Sequence, residues 1–138
     1  VSRGLGDVYK RQATMKVVST TNAPAAIGPY SQAIEVNGFV FASGQIPIDP
    51  ATGEFVEGGI KEQTRQALTN AAHIMAEAGI DLSHVVKTTV FLADMADFAA
   101  MNEVYSTFFK EPFPARSAVA VKALPKGALV EVECVAVK

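Results

Sequence analysis

The sequence is poor in the residues on which several common kinds of protein site depend. Its 138 residues include one cysteine, two histidines and no tryptophan. The single cysteine, Cys134, excludes an internal disulfide. The histidines, His73 and His84, lie on different predicted elements, and the only cysteine is far from both in sequence. A zinc site is therefore not expected.

The sequence also lacks the short motifs of nucleophilic and nucleotide chemistry. It contains no G-x-S-x-G, no P-loop and no G-x-G-x-x-G. A Ser-His-Asp triad would need one of the two histidines, which both have the character of surface residues. We expect neither a metal nor an organic cofactor.

Positive charge is scarce as well. The formal net charge is -2, the pI is about 5.7, and lysine and arginine form no dense cluster. Nucleic acid is thus not expected as the main partner. No apolar stretch approaches the roughly 20 residues of a membrane helix, and no signal-peptide core is present. The sequence predicts a cytoplasmic protein without a membrane partner.

The first fourteen residues differ from the rest of the chain. The stretch "VSRGLGDVYKRQAT" has no sustained apolar periodicity and holds three of the 12 basic residues but one of the 14 acidic ones. We predict that residues 1–14 are a disordered or non-native leader and that residues 15–138 form one domain. The domain is then more acidic than the whole chain.

Apolar patterning in the first two thirds of the chain predicts strands, a helix and a further strand. Strands are predicted for "KVVST", and for "SQAIEV" and "FVFASG", which flank the hairpin signal Asn37-Gly38. Apolar residues at helical spacing follow from Ile60, and Gly79 is placed to end that helix. "HVVKTTVFLA" is rich in β-branched residues and predicts a central strand.

The last third predicts a second helix and two strands. Asp94 has the character of an N-cap, and Pro112 and Pro114 would stop the helix. Its apolar stripe is Phe98, Met101, Tyr105, Phe108 and Phe109. "RSAVAV" is predicted as a buried strand and "LVEVECVAV" as the last strand.

These elements predict an α+β domain with both helices on one face of a sheet. The hydrophobic content of 49% and the mean hydropathy of +0.22 are high for a small chain. The second sheet face must then be covered, and self-association with closed symmetry is the usual solution.

Arg116 is the most unusual candidate site residue, because it opens the apolar run of "FPARSAVAV". An unpaired guanidinium is costly in an apolar environment. It could form a structural salt bridge, or lie exposed at a strand edge. It could also bind a small carboxylate, for which its planar pair of donors is well shaped.

The other candidates are weaker one by one. Glu131 and Glu133 share one face of the last strand and could be solvated, or one could activate a water beside a cation. Cys134 alternates with them and reads as a small buried hydrophobe. The remaining candidates are a loop tyrosine, a serine-glycine pair at a strand end and a helical amide: Tyr30, Ser43, Gly44 and Asn102.

Five stretches in order and spacing resemble one family. They are "IGPYSQA" (27–33), "ASGQIPIDPATGE" (42–54), "MNEVYSTFF" (101–109), "FPARSAVAV" (113–121) and "VEVECVAV" (130–137). Together they resemble the Rid family of reactive-intermediate deaminases, also called the YjgF type, and in particular its RidA subgroup. The resemblance extends from about Met15 to Lys138.

The resemblance implies a chorismate-mutase-like α+β fold, a homotrimer and ligand sites in clefts between subunits. It implies hydrolysis of enamines and imines such as 2-aminoacrylate or 2-iminobutyrate to a 2-keto acid and ammonia. The resemblance also implies that Arg116 binds the substrate carboxylate and that Glu131 helps to position the attacking water. The pocket would be completed by Tyr30, Ser43, Gly44 and Asn102.

The chain departs from the family at Ala118, where many relatives carry cysteine. Because that position would contribute mainly its backbone N–H, we expect ligand binding to survive. Two other functions stay open: a protein that binds or senses 2-keto acids, and a ribonuclease or translation inhibitor. The acidic charge and the lack of a histidine acid–base pair disfavour the last.

Overall fold

The structure is a computed structural model that describes residues 15–138. The predicted leader, residues 1–14, lies outside the described residues. The described part is an α+β domain built on a six-stranded mixed sheet. Its strands are β1 (Lys16–Val18), β2 (Ala33–Val36), β3 (Phe39–Gln45), β6 (Val85–Leu92), β7 (Ala115–Ala120) and β8 (Val130–Val137). Their order across the sheet is β1-β2-β3-β8-β6-β7.

Neighbouring strands of this sheet are antiparallel except for β6 and β7, which are parallel. The β2–β3 hairpin is confirmed at the predicted turn. Asn37 and Gly38 have φ values of 50° and 81°, the left-handed conformations that a two-residue hairpin loop requires. A small separate hairpin pairs β4 (Ile48–Asp49) with β5 (Glu54–Phe55).

Both helices, α1 (Ile60–Glu77) and α2 (Phe98–Tyr105), pack on one face of the sheet, as predicted. Leu68, Ile74 and Met75 of α1 are fully buried, together with Val130 and Val132 of β8. In a strand, alternate side chains point to opposite faces. The even-numbered residues of β8 therefore form the core, and Glu131, Glu133, Val135 and Val137 face away from the helices.

Two details of the last third differ from the predictions. Asp94 caps a single 3₁₀ turn, Met95–Asp97, and α2 begins only at Phe98 and ends at Tyr105.

The second helix ends early because the hydroxyls of Ser106 and Thr107 donate to the backbone carbonyls of Glu103 and Val104, at 2.7 and 2.6 Å. Such local bonds compete with helix continuation.

The prediction of a buried strand at "RSAVAV" was wrong. β7 is the edge strand of the sheet, and most of its residues are exposed in the single chain. Only β6 pairs with it, and small apolar side chains at an edge give no signal that separates an edge strand from a central one.

The face opposite the helices carries an exposed apolar surface. Strand registers bring Val17 of β1, Phe41 of β3 and Val135 of β8 into one row, and Phe39 and Val137 lie beside them. Val17, Phe39, Phe41 and Val137 are all among the exposed large hydrophobic residues. The predicted need for a cover on the second face is therefore visible in the single chain.

Candidate functional site

Four of the predicted site residues line one large open cavity: Tyr30, Ser43, Gly44 and Glu131. The cavity has a volume of about 1360 Å³ and lies at the end of β3. The loop between β1 and β2 and the loop before β8 also border it. The sequence thus predicted four residues, spread over a hundred positions, that the fold brings to one cavity.

A bulge in β3 shapes this cavity. The register of β3 on β8 shifts between Ala42 and Gln45, so Ser43 and Gly44 lie in the irregular part of the strand. The Ser43 N–H donates to the carbonyl of Gln32 at 2.9 Å, and its hydroxyl donates to the carbonyl of Ser31 at 2.7 Å. These bonds tie the bulge to the loop that carries Tyr30.

Gly44 allows the carboxylate of Glu131 to approach the backbone. A Cβ added at Gly44 would lie 2.7 Å from Oε2 of Glu131, closer than two such atoms can pack. Any other residue here would displace the carboxylate. Glycine at this position is therefore explained by a close approach of a side chain to the main chain.

Glu131 differs from its neighbour Glu133 although both face away from the helices. Glu133 is exposed, whereas Glu131 is half-buried at the cavity. Burial raises the pKa of Glu131 above its usual range, and the negative charge of Glu133 raises it further. Cys134, the residue after Glu133, is buried in the core as predicted, and burial raises its pKa to about 12. Its thiol stays protonated at neutral pH.

Gln32 is a residue of this region that the sequence analysis missed. Its buried side-chain amide accepts from the Thr20 N–H at 2.7 Å and donates to the carbonyls of Thr20 and Pro24 at 3.0 and 2.7 Å. It also lies 3.3 Å from the carbonyl of Ala23. One side chain therefore holds the loop between β1 and β2 against the sheet. In the sequence, the only signal that this side chain could be buried was its position directly before the small apolar Ala33.

Arg116 and Asn102 form a second group. The Arg116 Nη1 donates to Oδ1 of Asn102 at 2.6 Å. The guanidinium carbon lies 4.7 Å from the ring centroid of Tyr105 and 5.5 Å from that of Phe98. Ala118 follows two residues later on the same strand face and packs against the core. Among residues 15–138, no carboxylate lies within salt-bridge distance of Arg116.

The two groups lie on opposite faces of the same sheet. Arg116 pairs in register with Thr88, whose side chain is fully buried on the helix side. Glu131 belongs to the alternate set of β8, which faces away from the helices. One chain therefore does not bring Arg116, Asn102 and Ala118 together with Tyr30, Ser43, Gly44 and Glu131.

The rings beside Arg116 were predicted only as part of an apolar helix stripe. Tyr105 is buried, and its hydroxyl is 2.8 Å from the hydroxyl of Thr88. Burial raises the pKa of Tyr105, so its hydroxyl stays neutral near pH 7. The sequence carried no signal that Tyr105 contacts Thr88 and Arg116, because α2 meets β6 and β7 only in the folded chain.

Neither histidine forms an acid–base pair with the other. Nδ1 of His73 is 2.6 Å from the carbonyl of Asn22, and Nδ1 of His84 is 2.9 Å from the carbonyl of Val137. Within the described range no group of three or more histidine, cysteine or acidic side chains is arranged to hold a metal ion. No helix of the same range is long and apolar enough to cross a membrane.

Comparison with known families gives a match over most of the chain. The sequence model of a family described as endoribonuclease L-PSP matches residues 20–138. A mouse protein named 2-iminobutanoate/2-iminopropanoate deaminase is 54% identical over 123 residues, which are 89% of this chain and 91% of the mouse protein.

Solved structures agree with this match. The crystal structure of TdcF from E. coli with bound serine superposes with a TM-score of 0.85 at 44% identity, covering 89% of this chain and 98% of TdcF. RidA from the Antarctic bacterium Psychrobacter sp. PAMC 21119 superposes with a TM-score of 0.86 at 46% identity, covering 89% of this chain and 99% of that protein.

Proposed function

The chain belongs to the endoribonuclease L-PSP family, which also carries the names YjgF and Rid, and from this membership we propose that it hydrolyses reactive enamines and imines. The substrates are small 2-imino acids of the 2-aminoacrylate or 2-iminobutyrate type, and the products are a 2-keto acid and ammonia. Several relatives more than 50% identical are named for this activity, among them the mouse and human proteins.

Arg116 carries the proposal, as the anchor of the substrate carboxylate. Its guanidinium is held by Asn102 and two aromatic rings, and among the described residues no carboxylate neutralises it. Asn102 uses one Nη1 donor and leaves others for a planar anion. The serine bound to TdcF is likewise a small molecule with a carboxylate beside a nitrogen-bearing carbon.

Glu131 is the group we assign to the attacking water. An imine protonated on nitrogen is already electrophilic at C2, so the site needs to orient it and supply water. The water oxygen bonds to C2 as one proton passes to the Glu131 carboxylate. The electron pair of the C=N double bond moves to nitrogen, and the resulting carbinolamine takes the proton back from Glu131 on that nitrogen. The hydroxyl at C2 then gives its proton to the regenerated Glu131 carboxylate as the C–N bond breaks, which releases ammonia and leaves a carbonyl at C2. Tyr30, Ser43, Gly44 and the backbone of Ala118 complete the pocket.

We further propose that the site forms between subunits of a homotrimer with a chorismate-mutase-like fold. Arg116 and Glu131 face opposite sides of one sheet, so a substrate that touches both must lie between two chains. The uncovered apolar face with Phe39, Phe41 and Val137 supplies a surface that such association would bury.

The test couples this protein to a pyridoxal-phosphate-dependent dehydratase that releases 2-aminoacrylate or 2-iminobutyrate in situ. We expect the intermediate to decay faster in proportion to the concentration of this protein, with matching release of 2-keto acid and ammonia. The dehydratase alone and the dehydratase with an unrelated acidic protein are the controls.

Unchanged decay at every concentration would contradict the proposed deaminase. If 2-oxobutyrate still bound in that case, the sensing function would replace it. The description of the family as an endoribonuclease calls for a parallel incubation with single-stranded RNA. We expect no cleavage, because the chain is acidic and its two histidines are apart.

The raised pKa of Glu131 predicts a specific pH dependence. If the carboxylate form orients water, kcat/KM falls as the pH drops through the pKa of Glu131, which lies above that of an ordinary glutamate. Because the charge of Glu133 contributes to this rise, Glu133→Gln should move the acid limb to lower pH and leave the plateau unchanged. The measurement is kcat/KM against pH for both proteins, corrected for uncatalysed decay. An unmoved acid limb, or one moved to higher pH, would contradict the assignment.

A further inference from the structure

We propose that Tyr105 and Phe98 are positioning residues that hold the Arg116 guanidinium in its binding orientation. The inference rests on the proposed anchoring role of Arg116. It assigns a function to two aromatic residues that do not themselves bind the substrate.

The first support is the stacking geometry. The guanidinium carbon of Arg116 is 4.7 Å from the ring centroid of Tyr105 and 5.5 Å from that of Phe98. Both distances are within the range in which a cation is attracted by an aromatic ring. An arginine on an exposed edge strand would otherwise sample many rotamers, and ordering it at each binding event would weaken binding.

The second support is the way in which the Tyr105 ring is itself fixed. Its hydroxyl is 2.8 Å from the hydroxyl of Thr88, and both side chains are buried. Thr88 pairs in register with Arg116 on the adjacent strand. The strand pairing that places Arg116 therefore also places the group that fixes the ring beneath it. Packing of Tyr105 against Phe109, with ring centroids 4.6 Å apart, restricts the ring further.

Asn102 completes the arrangement from the same helix. It lies three residues before Tyr105 and four after Phe98, so all three side chains share one face of α2. Its amide oxygen takes one Nη1 hydrogen of Arg116 at 2.6 Å and so sets the rotation of the planar guanidinium in front of the rings. The rings hold the position of the guanidinium, and the amide fixes the direction of one of its donors.

Two substitutions of Tyr105 separate the ring from the hydroxyl. Tyr105→Phe and Tyr105→Leu both lose the bond to Thr88, but only the leucine variant loses the aromatic face. We expect Tyr105→Leu to raise KM for the imine and Kd for 2-oxobutyrate about three- to thirtyfold, with kcat unchanged. Tyr105→Phe should lie much closer to the parent than Tyr105→Leu in both constants, because the ring remains and its packing against Phe109 still restricts it after the bond to Thr88 is lost. Phe98→Leu should act in the same direction as Tyr105→Leu with a smaller effect, because its ring is farther away.

Thermal unfolding is recorded for every variant, since loss of packing alone would lower Tm without this separation of constants. Equal KM and Kd for Tyr105→Leu and Tyr105→Phe would overturn the inference. If Tyr105→Leu did not fold, Phe98→Leu would decide it: an unchanged KM there overturns it, and a raised KM supports it. Arg116→Ala in the same assay distinguishes the two levels. If Arg116→Ala bound 2-oxobutyrate normally, the anchoring role itself would be wrong. If Arg116→Ala lost binding while the Tyr105 and Phe98 variants kept it, the anchoring role would stand and only the positioning role would be wrong.

Discussion

Replacing Arg116 with alanine is expected to lower kcat/KM for imine hydrolysis by at least about 100-fold. Two charge-assisted hydrogen bonds to a carboxylate contribute about 1.5 kcal/mol each or more, and every 1.4 kcal/mol is a factor of ten. The loss should appear mainly in KM and in Kd for 2-oxobutyrate, because the carboxylate keeps its charge throughout the reaction and its anchor therefore binds ground state and transition state alike. The coupled dehydratase assay measures the first constant and calorimetry the second.

Arg65→Ala is the matched control for this substitution. Arg65 is the other arginine of the described residues, is exposed on α1 and does not border the cavity. The Arg65→Ala substitution removes the same charge from the chain without changing either group of site residues. Arg116→Lys should recover only part of the loss, since an ammonium lacks the planar pair of donors. Full activity in Arg116→Ala would contradict the assignment of the anchor.

Replacing Glu131 with glutamine is expected to lower kcat by about 100-fold or more, in the range of general acid–base contributions. Glutamine keeps the shape of the side chain and its fit beside Gly44, so 2-oxobutyrate should bind as in the parent protein. Glu133→Gln, assayed on the pH plateau, removes the neighbouring charge on the same strand face and should keep full kcat. Normal turnover by Glu131→Gln would remove the water-positioning role.

The same two variants test the shared site. If Arg116 and Glu131 of different chains meet in one cleft, unfolding and refolding a mixture of Arg116→Ala and Glu131→Gln chains should restore activity that neither has alone. Some mixed assemblies then contain a cleft with both native residues. Chains refolded separately and combined afterwards are the control. No recovery from a refolded mixture would count against a site between subunits.

The fold was largely predictable because its strongest signals are local. Asn37-Gly38 specifies a hairpin through backbone conformations that few other pairs adopt, and the apolar spacing from Ile60 permits only a helix with one buried face. The errors occurred where the outcome depends on neighbours in space. Nothing in the sequence of β7 indicates that one side of this strand lacks a neighbouring strand to pair with. The early end of α2 depends on hydroxyl bonds within its last turn.

The residues of the candidate site likewise include some that could be predicted from the sequence and some that could not. Arg116 and Glu131 could be selected from the sequence because a charge beside an apolar run needs a reason, and the family resemblance supplied one. Gln32 and Tyr105 could not be selected, since a glutamine and a tyrosine at those positions fit an ordinary loop and an ordinary helix stripe. Their roles depend on the contacts with Thr20, Pro24 and Thr88.

The sequence by itself determined most of the elements, the family and the chemical types available for the candidate site: one guanidinium, one carboxylate and no histidine pair. Only the tertiary structure decided that the guanidinium and the carboxylate lie on opposite faces of the sheet. The face of a strand residue follows from register, and register is fixed by pairing with strands far away in sequence, here Thr88 with Arg116 and Val132 with Gln45.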